Sequence, residues 1–199
     1  MQRHVSDEFV KRAQKDGYRS RAAYKLQELD QTDHLFKRGM TVVDLGAAPG
    51  GWSQYVARRL SGTGRVLALD ILDMAPISGI EFVQGDFTEE AVLNSFKDRL
   101  GSAPVDLVIS DMAPNITGIG ARDQAQAIYF AELAFDFASQ TLRPGGVFLV
   151  KTFQGEGYAE LHRNLKGRFD KLLTRKPKAS RAESREIYLL GKGFKRSEA

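Results

Sequence analysis

"TVVDLGAAPGGWSQYVARRL" (residues 41–60) passes from an apolar run through a glycine-rich turn into a segment with helical spacing. The run 41–46 reads as a strand, because near-continuous apolar residues suit a parallel strand covered on both faces. Beyond the turn, Trp52, Val56 and Leu60 recur every four residues, on one face of a helix. Outward from this unit, strand-like runs recur at 65–70, 80–86, 105–111 and 146–153, with weaker ones at 169–175 and 185–191. Between them, 88–101 has Thr88 placed as an N-cap, acids in its first turn and Gly101 as a stop. The segment 126–142 is apolar nearly all round, as for a helix pressed on a sheet. Strands alternating with helices imply a doubly wound α/β fold with a seven-stranded, mostly parallel sheet and helices on both faces. The last two runs are joined by "KPKASRAES" (176–184), which has no room for a crossover helix, so the last strand is expected to be antiparallel. No repeat, low-complexity tract or linker interrupts the chain. Residues 1–199 therefore read as one domain, with an N-terminal basic helical segment over about 1–38.

Composition narrows the function classes. With 199 residues and 42% hydrophobic content, the chain can bury a sizeable core. No apolar run approaches the ~18 residues of a membrane span, and residues 1–17 lack the apolar core of a signal peptide. The absence of cysteine excludes disulfides and thiolate metal sites and fits a cytoplasmic protein. His4, His34 and His162 have no metal-ligand spacing, so no metal site is expected. Charge is distributed unevenly. Residues 1–40 carry 9 Lys/Arg against 6 Asp/Glu, residues 41–161 carry 8 against 15, and residues 162–199 carry 12 against 4. An acidic centre between basic ends suggests that the ends face a polyanion such as nucleic acid.

Ligands of open α/β sheets bind beyond the carboxyl ends of the strands. In this chain those positions hold the turn 46–51, Asp70, Asp86, Asp111 and Lys151. "GAAPGG" is neither the dinucleotide fingerprint nor a phosphate-cradling P-loop. Gly46, Gly50 and Gly51 allow close backbone approach, Asp70 is spaced to accept from ribose hydroxyls, and Asp86 can accept from an exocyclic amine. A nucleoside without phosphates, and a cationic one, suits this edge. Lys151 is the misfit, because an ammonium directly after a core strand is costly unless paired or neutralised.

Together, "SDEFVKRAQKDGYRSRAAYKLQELD", "VVDLGAAPGGWSQ", "SDMAPN", "VKTFQGEG" and "SRAESREIYLL" resemble the FtsJ (RrmJ) family of ribosomal RNA 2′-O-ribose methyltransferases. The resemblance runs from about residue 6 to residue 191. It implies the Rossmann-like fold of class I S-adenosylmethionine-dependent methyltransferases. It also implies a catalytic Lys-Asp-Lys-Glu set at Lys25, Asp111, Lys151 and Glu186. Cofactor contacts would fall at Gly46, Gly50, Gly51, Trp52, Asp70, Asp86 and Asp111. The implied substrate is a uridine of large-subunit ribosomal RNA on the assembled 50S subunit; a monomer is the default expectation, with no sequence signal behind it.

A 2′-hydroxyl is a poor nucleophile, so the site must align it with the methyl donor and accept a proton. Lys151 is the candidate acceptor. A desolvated strand end, Lys25 and the cofactor's positive charge favour its neutral form, whereas Asp111 and Glu186 favour the ammonium. The alternative role, an ammonium that holds the 2′-oxygen in line, stays open at this point. Arg19, Arg21, Arg175, Lys176, Lys178, Arg181 and Arg185 are expected to form a basic rim for RNA phosphates. Rival readings are a 2′-O-methyltransferase acting on transfer RNA or another RNA, a nicotinamide oxidoreductase, and an RNA-binding assembly factor with a vestigial site.

Overall fold

The computed structural model describes residues 8–114, 120–180 and 184–196. Two N-terminal helices, α1 (Glu8–Lys15) and α2 (Ala22–Asp33), precede β1 (Thr41–Leu45), α3 (Gly51–Leu60), β2 (Arg65–Asp70) and β3 (Glu81–Gln84). Then follow α4 (Glu90–Leu100), β4 (Val105–Ser110), α5 (Gly120–Thr141), β5 (Leu142–Phe153), α6 (Tyr158–Arg168), β6 (Phe169–Arg175) and β7 (Glu186–Phe194). The sheet has seven strands in the order β3-β2-β1-β4-β5-β7-β6. Strands β1 to β5 pair in parallel, and β7 lies antiparallel between β5 and β6. The Rossmann-like α/β expectation and the antiparallel last strand both hold. No helix among the described residues is long and apolar enough to cross a membrane.

Alternation along the strands divides the core into two layers. Val43, Leu45, Phe148 and Val150 face one layer with Phe96 of α4, Phe137 of α5 and Leu165 of α6. Val42, Leu149, Tyr188 and Leu190 face the other, with Leu26 and Leu29 of α2 and Trp52 and Val56 of α3. Lys151 stands two residues beyond Leu149, on the face covered by α2 and α3.

Local details depart from the sequence expectations. Thr88 does not cap α4; Glu89 occupies that position. The Thr88 amide and hydroxyl both donate to Asp86 Oδ1, at 2.8 and 2.7 Å, forming an Asx-type turn that delays the helix. Within the N-terminal basic segment the described residues form two helices, α1 and α2. Helix α5 starts earlier than its apolar stretch and is not buried all round: Glu132 and Asp136 are exposed and Tyr129 is 47% exposed.

Strand register builds the site. Ser110 is paired with Val150, which sets Asp111 beside Lys151 just past the end of β4. Across the antiparallel pair, Lys151 faces Tyr188 and Phe153 faces Glu186. Residues from β4, β5 and β7 thus meet at one edge, and α2 packs over them.

Candidate active site

Five side chains form one connected chain of polar contacts. Lys25 Nζ lies 2.6 Å from Glu186 Oε1, and the two side chains are each 12% exposed. Tyr188 donates its hydroxyl to Asp111 Oδ1 at 2.9 Å and lies 3.3 Å from Glu186 Oε1. Lys151, 7% exposed, donates to Asp111 Oδ1 at 2.9 Å and to the Asp111 main-chain carbonyl. Ser180 adds a hydroxyl donated to Glu186 Oε1 at 2.9 Å. The set runs Lys25–Glu186–Tyr188–Asp111–Lys151, so the four residues nominated from the sequence are all brought together.

Charge balance explains how the cluster tolerates burial. Desolvation alone would raise the Asp111 pKa. The charges of Lys151 and Lys25 and the hydrogen bonds from Lys151 and Tyr188 outweigh it, and the carboxyl is held below its ordinary value. The Tyr188 phenol is pushed well above its ordinary value by burial and by the Asp111 and Glu186 carboxylates, so it stays a hydrogen-bond donor. Two ammonium groups and two carboxylates thus neutralise one another, which is how buried charges are retained.

The glycine-rich turn lies at the neighbouring strand ends. Gly46 has φ 76°, and a Cβ there would come within 2.5 Å of Met112 Cγ. Gly50 has φ 107°, and a Cβ would come within 2.7 Å of Ile77 Cδ1. Both positions therefore require glycine, for conformation and for space. Asp70 accepts from the Ala48 amide and the Leu72 amide, each at 2.8 Å, tying the turn to the start of the β2–β3 loop. Asp86 is held below its ordinary pKa by the Thr88 amide and hydroxyl through Oδ1. Its Oδ2 has no hydrogen-bond partner among the described residues. This row of acceptors suits a cationic nucleoside carrying ribose hydroxyls and an exocyclic amine.

Trp52, one of the expected cofactor contacts, has its side chain engaged within the fold. The indole is buried, its N–H donates to the Ala22 carbonyl at 2.8 Å, and its ring lies 5.8 Å from that of Tyr188. Its side chain therefore fixes the start of α2, and with it Lys25, against α3 and β7.

The residues expected to form the basic rim divide by their partners within the fold. Arg21 donates to the Ala179 carbonyl at 2.6 Å, and Lys176 to the Ser184 carbonyl at 2.8 Å. Arg175 makes a bidentate pair with Asp33 at 2.8 and 2.9 Å. Burial would raise the Asp33 pKa, but Arg175 and Lys192 outweigh it and lower it. Arg19 donates to the carbonyls of Ala75 and Pro76. These four are engaged within the fold because carbonyls and a carboxylate from distant segments reach them first. Lys178 and Arg185 are exposed and make no side-chain hydrogen bond or ion pair among the described residues. Arg181 lies outside the described residues, as does His4.

Sequence reasoning missed Tyr188, Ser180 and Asp44. Asp44 is fully buried on β1. Its Oδ2 accepts from Ser53 at 2.6 Å, and its Oδ1 has no hydrogen-bond partner among the described residues. Burial, reinforced by Asp111 and Asp70 and opposed by Ser53, pushes its pKa up to about 7 from 3.8. The folded protein holds this proton more tightly than the unfolded chain. The Asp44 contribution to stability is therefore complete below the unfolded value and is lost as pH rises toward about 7. Asp44→Asn is expected to flatten the stability profile between those limits by roughly 4 kcal/mol, from ~1.4 kcal/mol per pKa unit. Urea unfolding at acidic and mildly basic pH measures this, and parallel profiles for the two proteins would contradict it.

Comparison with known proteins gives the family. A family model described as FtsJ-like methyltransferase matches residues 18–194. "Ribosomal RNA large subunit methyltransferase E" of Methylobacillus flagellatus is 60% identical over 191 residues, covering 96% of this chain and 92% of that protein. The protein of the same name from Pseudomonas fluorescens is 55% identical over 199 residues, covering 100% of this chain and 95% of its own length. Among solved structures, a ribosomal RNA methyltransferase from Plasmodium falciparum superposes with a TM-score of 0.80 at 33% identity, covering 89% of this chain and 98% of that one. The MycE methyltransferase of mycinamycin biosynthesis, solved with Mg and S-adenosylhomocysteine, gives a TM-score of 0.57 at 16% identity. It covers 96% of this chain and 50% of that one, a likeness of fold alone.

Proposed function

The chain belongs to the FtsJ-like methyltransferase family, and from that premise we propose that it moves the methyl group of S-adenosylmethionine to the ribose 2′-hydroxyl of a uridine in large-subunit ribosomal RNA, on the assembled 50S subunit in the cytoplasm. The observation that carries this reading is the continuous contact chain from Lys25 through Glu186, Tyr188 and Asp111 to Lys151. S-Adenosylmethionine, when bound, supplies an electrophilic methyl on a positively charged sulfur. Gly46, Gly50 and Gly51 would admit it closely, with Asp70 and Asp86 taking its hydroxyls and amine and Asp111 beside the methyl.

Lys151 is the proton acceptor in this mechanism. Lys151 Nζ, an ammonium paired with Asp111 in the unliganded protein, acts once it has given up a proton; the proton of the attacking 2′-hydroxyl then passes to it and restores the ammonium. Asp111 already presents a carboxylate oxygen and a main-chain carbonyl to that nitrogen, so the charge forms where its partners stand. Lys25 and Glu186 orient the ribose, and Ser180 and Tyr188 hold Glu186 in place. Alignment in a near-attack geometry is worth ~7–11 kcal/mol and base assistance about 10²–10⁴-fold.

The test is transfer of labelled methyl to under-methylated 50S subunits, free ribosomal RNA and transfer RNA in parallel. Label confined to the large-subunit RNA, and strongest on assembled subunits, is expected. Preferential labelling of transfer RNA would replace the substrate assignment, and no label on any RNA would favour an assembly role.

Binding of the polyanion is assigned to the cations without internal partners. Lys178→Ala and Arg185→Ala are each expected to weaken subunit binding and to reduce its salt slope by about 1. Arg175→Ala should chiefly lower the unfolding midpoint by releasing Asp33. An unchanged salt slope for both Lys178 and Arg185 variants would contradict this division.

A further inference from the structure

We propose that Arg19 is a positioning residue for the cofactor cleft, a latch that holds the β2–β3 loop against the glycine-rich turn, and not a contact for RNA phosphate. The inference rests on the reading of that turn as the cofactor site. It begins from where the guanidinium spends its donors. Nη1 donates to the Ala75 carbonyl at 2.6 Å and lies 3.4 Å from the Pro49 carbonyl, while Nη2 donates to the Pro76 carbonyl at 2.9 Å. A planar fork of donors suits two adjacent main-chain carbonyls, which a lysine serves only as a point charge.

The base of the latch is itself anchored. The Arg19 amide donates to Gln54 Oε1 at 2.7 Å, and the Gln54 side-chain amide donates to the Gly17 carbonyl at 3.2 Å. Arg58 donates to the Asp16 carbonyl and sits 4.2 Å over the Tyr18 ring. Residues 16–19 are thus fastened to α3, and Arg19 reaches from α3 across to residues 75–76.

What the latch closes is the segment that follows Asp70. That segment starts with the Leu72 amide donated to Asp70 Oδ1, and Met74 is buried against Ala47 and Ala68 with Ile77 packed beside them. All parts meet at Gly50, where a Cβ would lie 2.7 Å from Ile77 Cδ1, 3.0 Å from Met74 Sδ and 3.3 Å from Arg19 Cδ. Strap, loop and turn are therefore in contact at the residue whose backbone must admit the ligand. Ala75, Pro76 and Pro49 take up three of the five guanidinium N–H groups and fix the plane of the fork, so the side chain is held toward the loop. The same strap runs directly into α2, so the loop over the cofactor and the ribose-orienting Lys25 share one anchored segment.

The experiment compares wild type, Arg19→Ala and Arg19→Lys by titration with S-adenosylhomocysteine, by hydrogen exchange over residues 71–79, and by subunit binding as a function of salt. Loss of two charge-assisted hydrogen bonds on an exposed side chain is expected to weaken S-adenosylhomocysteine binding about three- to tenfold. Exchange over 71–79 should quicken, KM for S-adenosylmethionine should rise with kcat held within about threefold, and the salt slope of subunit binding should not change. Arg19→Lys should recover less than half of the lost affinity, and an unfolding midpoint near wild type for either variant keeps the comparison valid. Unchanged cofactor affinity together with a salt slope smaller by about 1 would overturn the proposal in favour of phosphate contact. No binding by the wild-type protein would overturn the cofactor reading and this proposal with it, and differs from failure of the latch, which leaves wild-type binding intact.

Discussion

Lys151→Ala is expected to slow methyl transfer by about 10²–10⁴-fold, the range of general-base assistance, while S-adenosylhomocysteine binding changes less than about threefold. The reason is positional. Lys151 sits at the end of β5 and touches Asp111, whereas the acceptors assigned to the cofactor stand on the turn after β1 and at the ends of β2 and β3. Removing the amine deletes the proton acceptor and leaves that row of acceptors in place. The guanidinium of a Lys151→Arg variant would carry a positive charge that does not give up its proton. Such a variant separates the two roles that the sequence leaves open. Activity close to wild type would mean that a fixed cation holds the 2′-oxygen in line; a loss as deep as that of the alanine variant is expected if Lys151 must accept the proton. Single-turnover rates with saturating cofactor provide the comparison.

Asp111→Ala should be the most destabilising change in the site, by about 3–5 kcal/mol, because it leaves a buried ammonium without its carboxylate. Tyr188 loses its shorter acceptor at the same time and keeps only Glu186. Adding Lys151→Met to this variant removes the stranded charge and should recover more than half of the lost stability. Urea unfolding of the two single variants and the double variant tests this as a cycle. Strictly additive losses would mean that the pair does not act as a unit. The contribution also has a pH signature. Asp111 has a folded pKa below its ordinary value, so its stabilisation is present above the unfolded value and disappears as pH falls through the folded one. Wild type should therefore lose stability in acid more steeply than Asp111→Ala.

Much of the fold can be read directly from residues 41–60 and the runs that follow, since strand, turn and helix each carry their own periodicity. Asp111 and Lys151 are visible because both break an apolar run at its carboxyl end, and parallel register then brings them together. Lys25 and Glu186 look like surface residues by pattern alone, and only the family resemblance singles them out. Tyr188 is hidden for the opposite reason: inside "EIYLL" it reads as one more core residue, and nothing local shows that its hydroxyl reaches Asp111. The insertion of β7 between β5 and β6 has no local signal either, although it decides which strand lies beside Lys151. The internal partners of the basic residues are invisible to composition. Charge counts cannot reveal that Arg175 is taken by Asp33, or Arg19 by two carbonyls in another loop.

The most direct test of the central claim is nucleoside mass spectrometry of large-subunit RNA after reaction of under-methylated 50S subunits with the wild-type protein and S-adenosylmethionine. The proposed function predicts one added methyl per subunit, on the ribose 2′-oxygen of a uridine. A methyl group found on a base, or no added methyl while S-adenosylhomocysteine still binds, would contradict it.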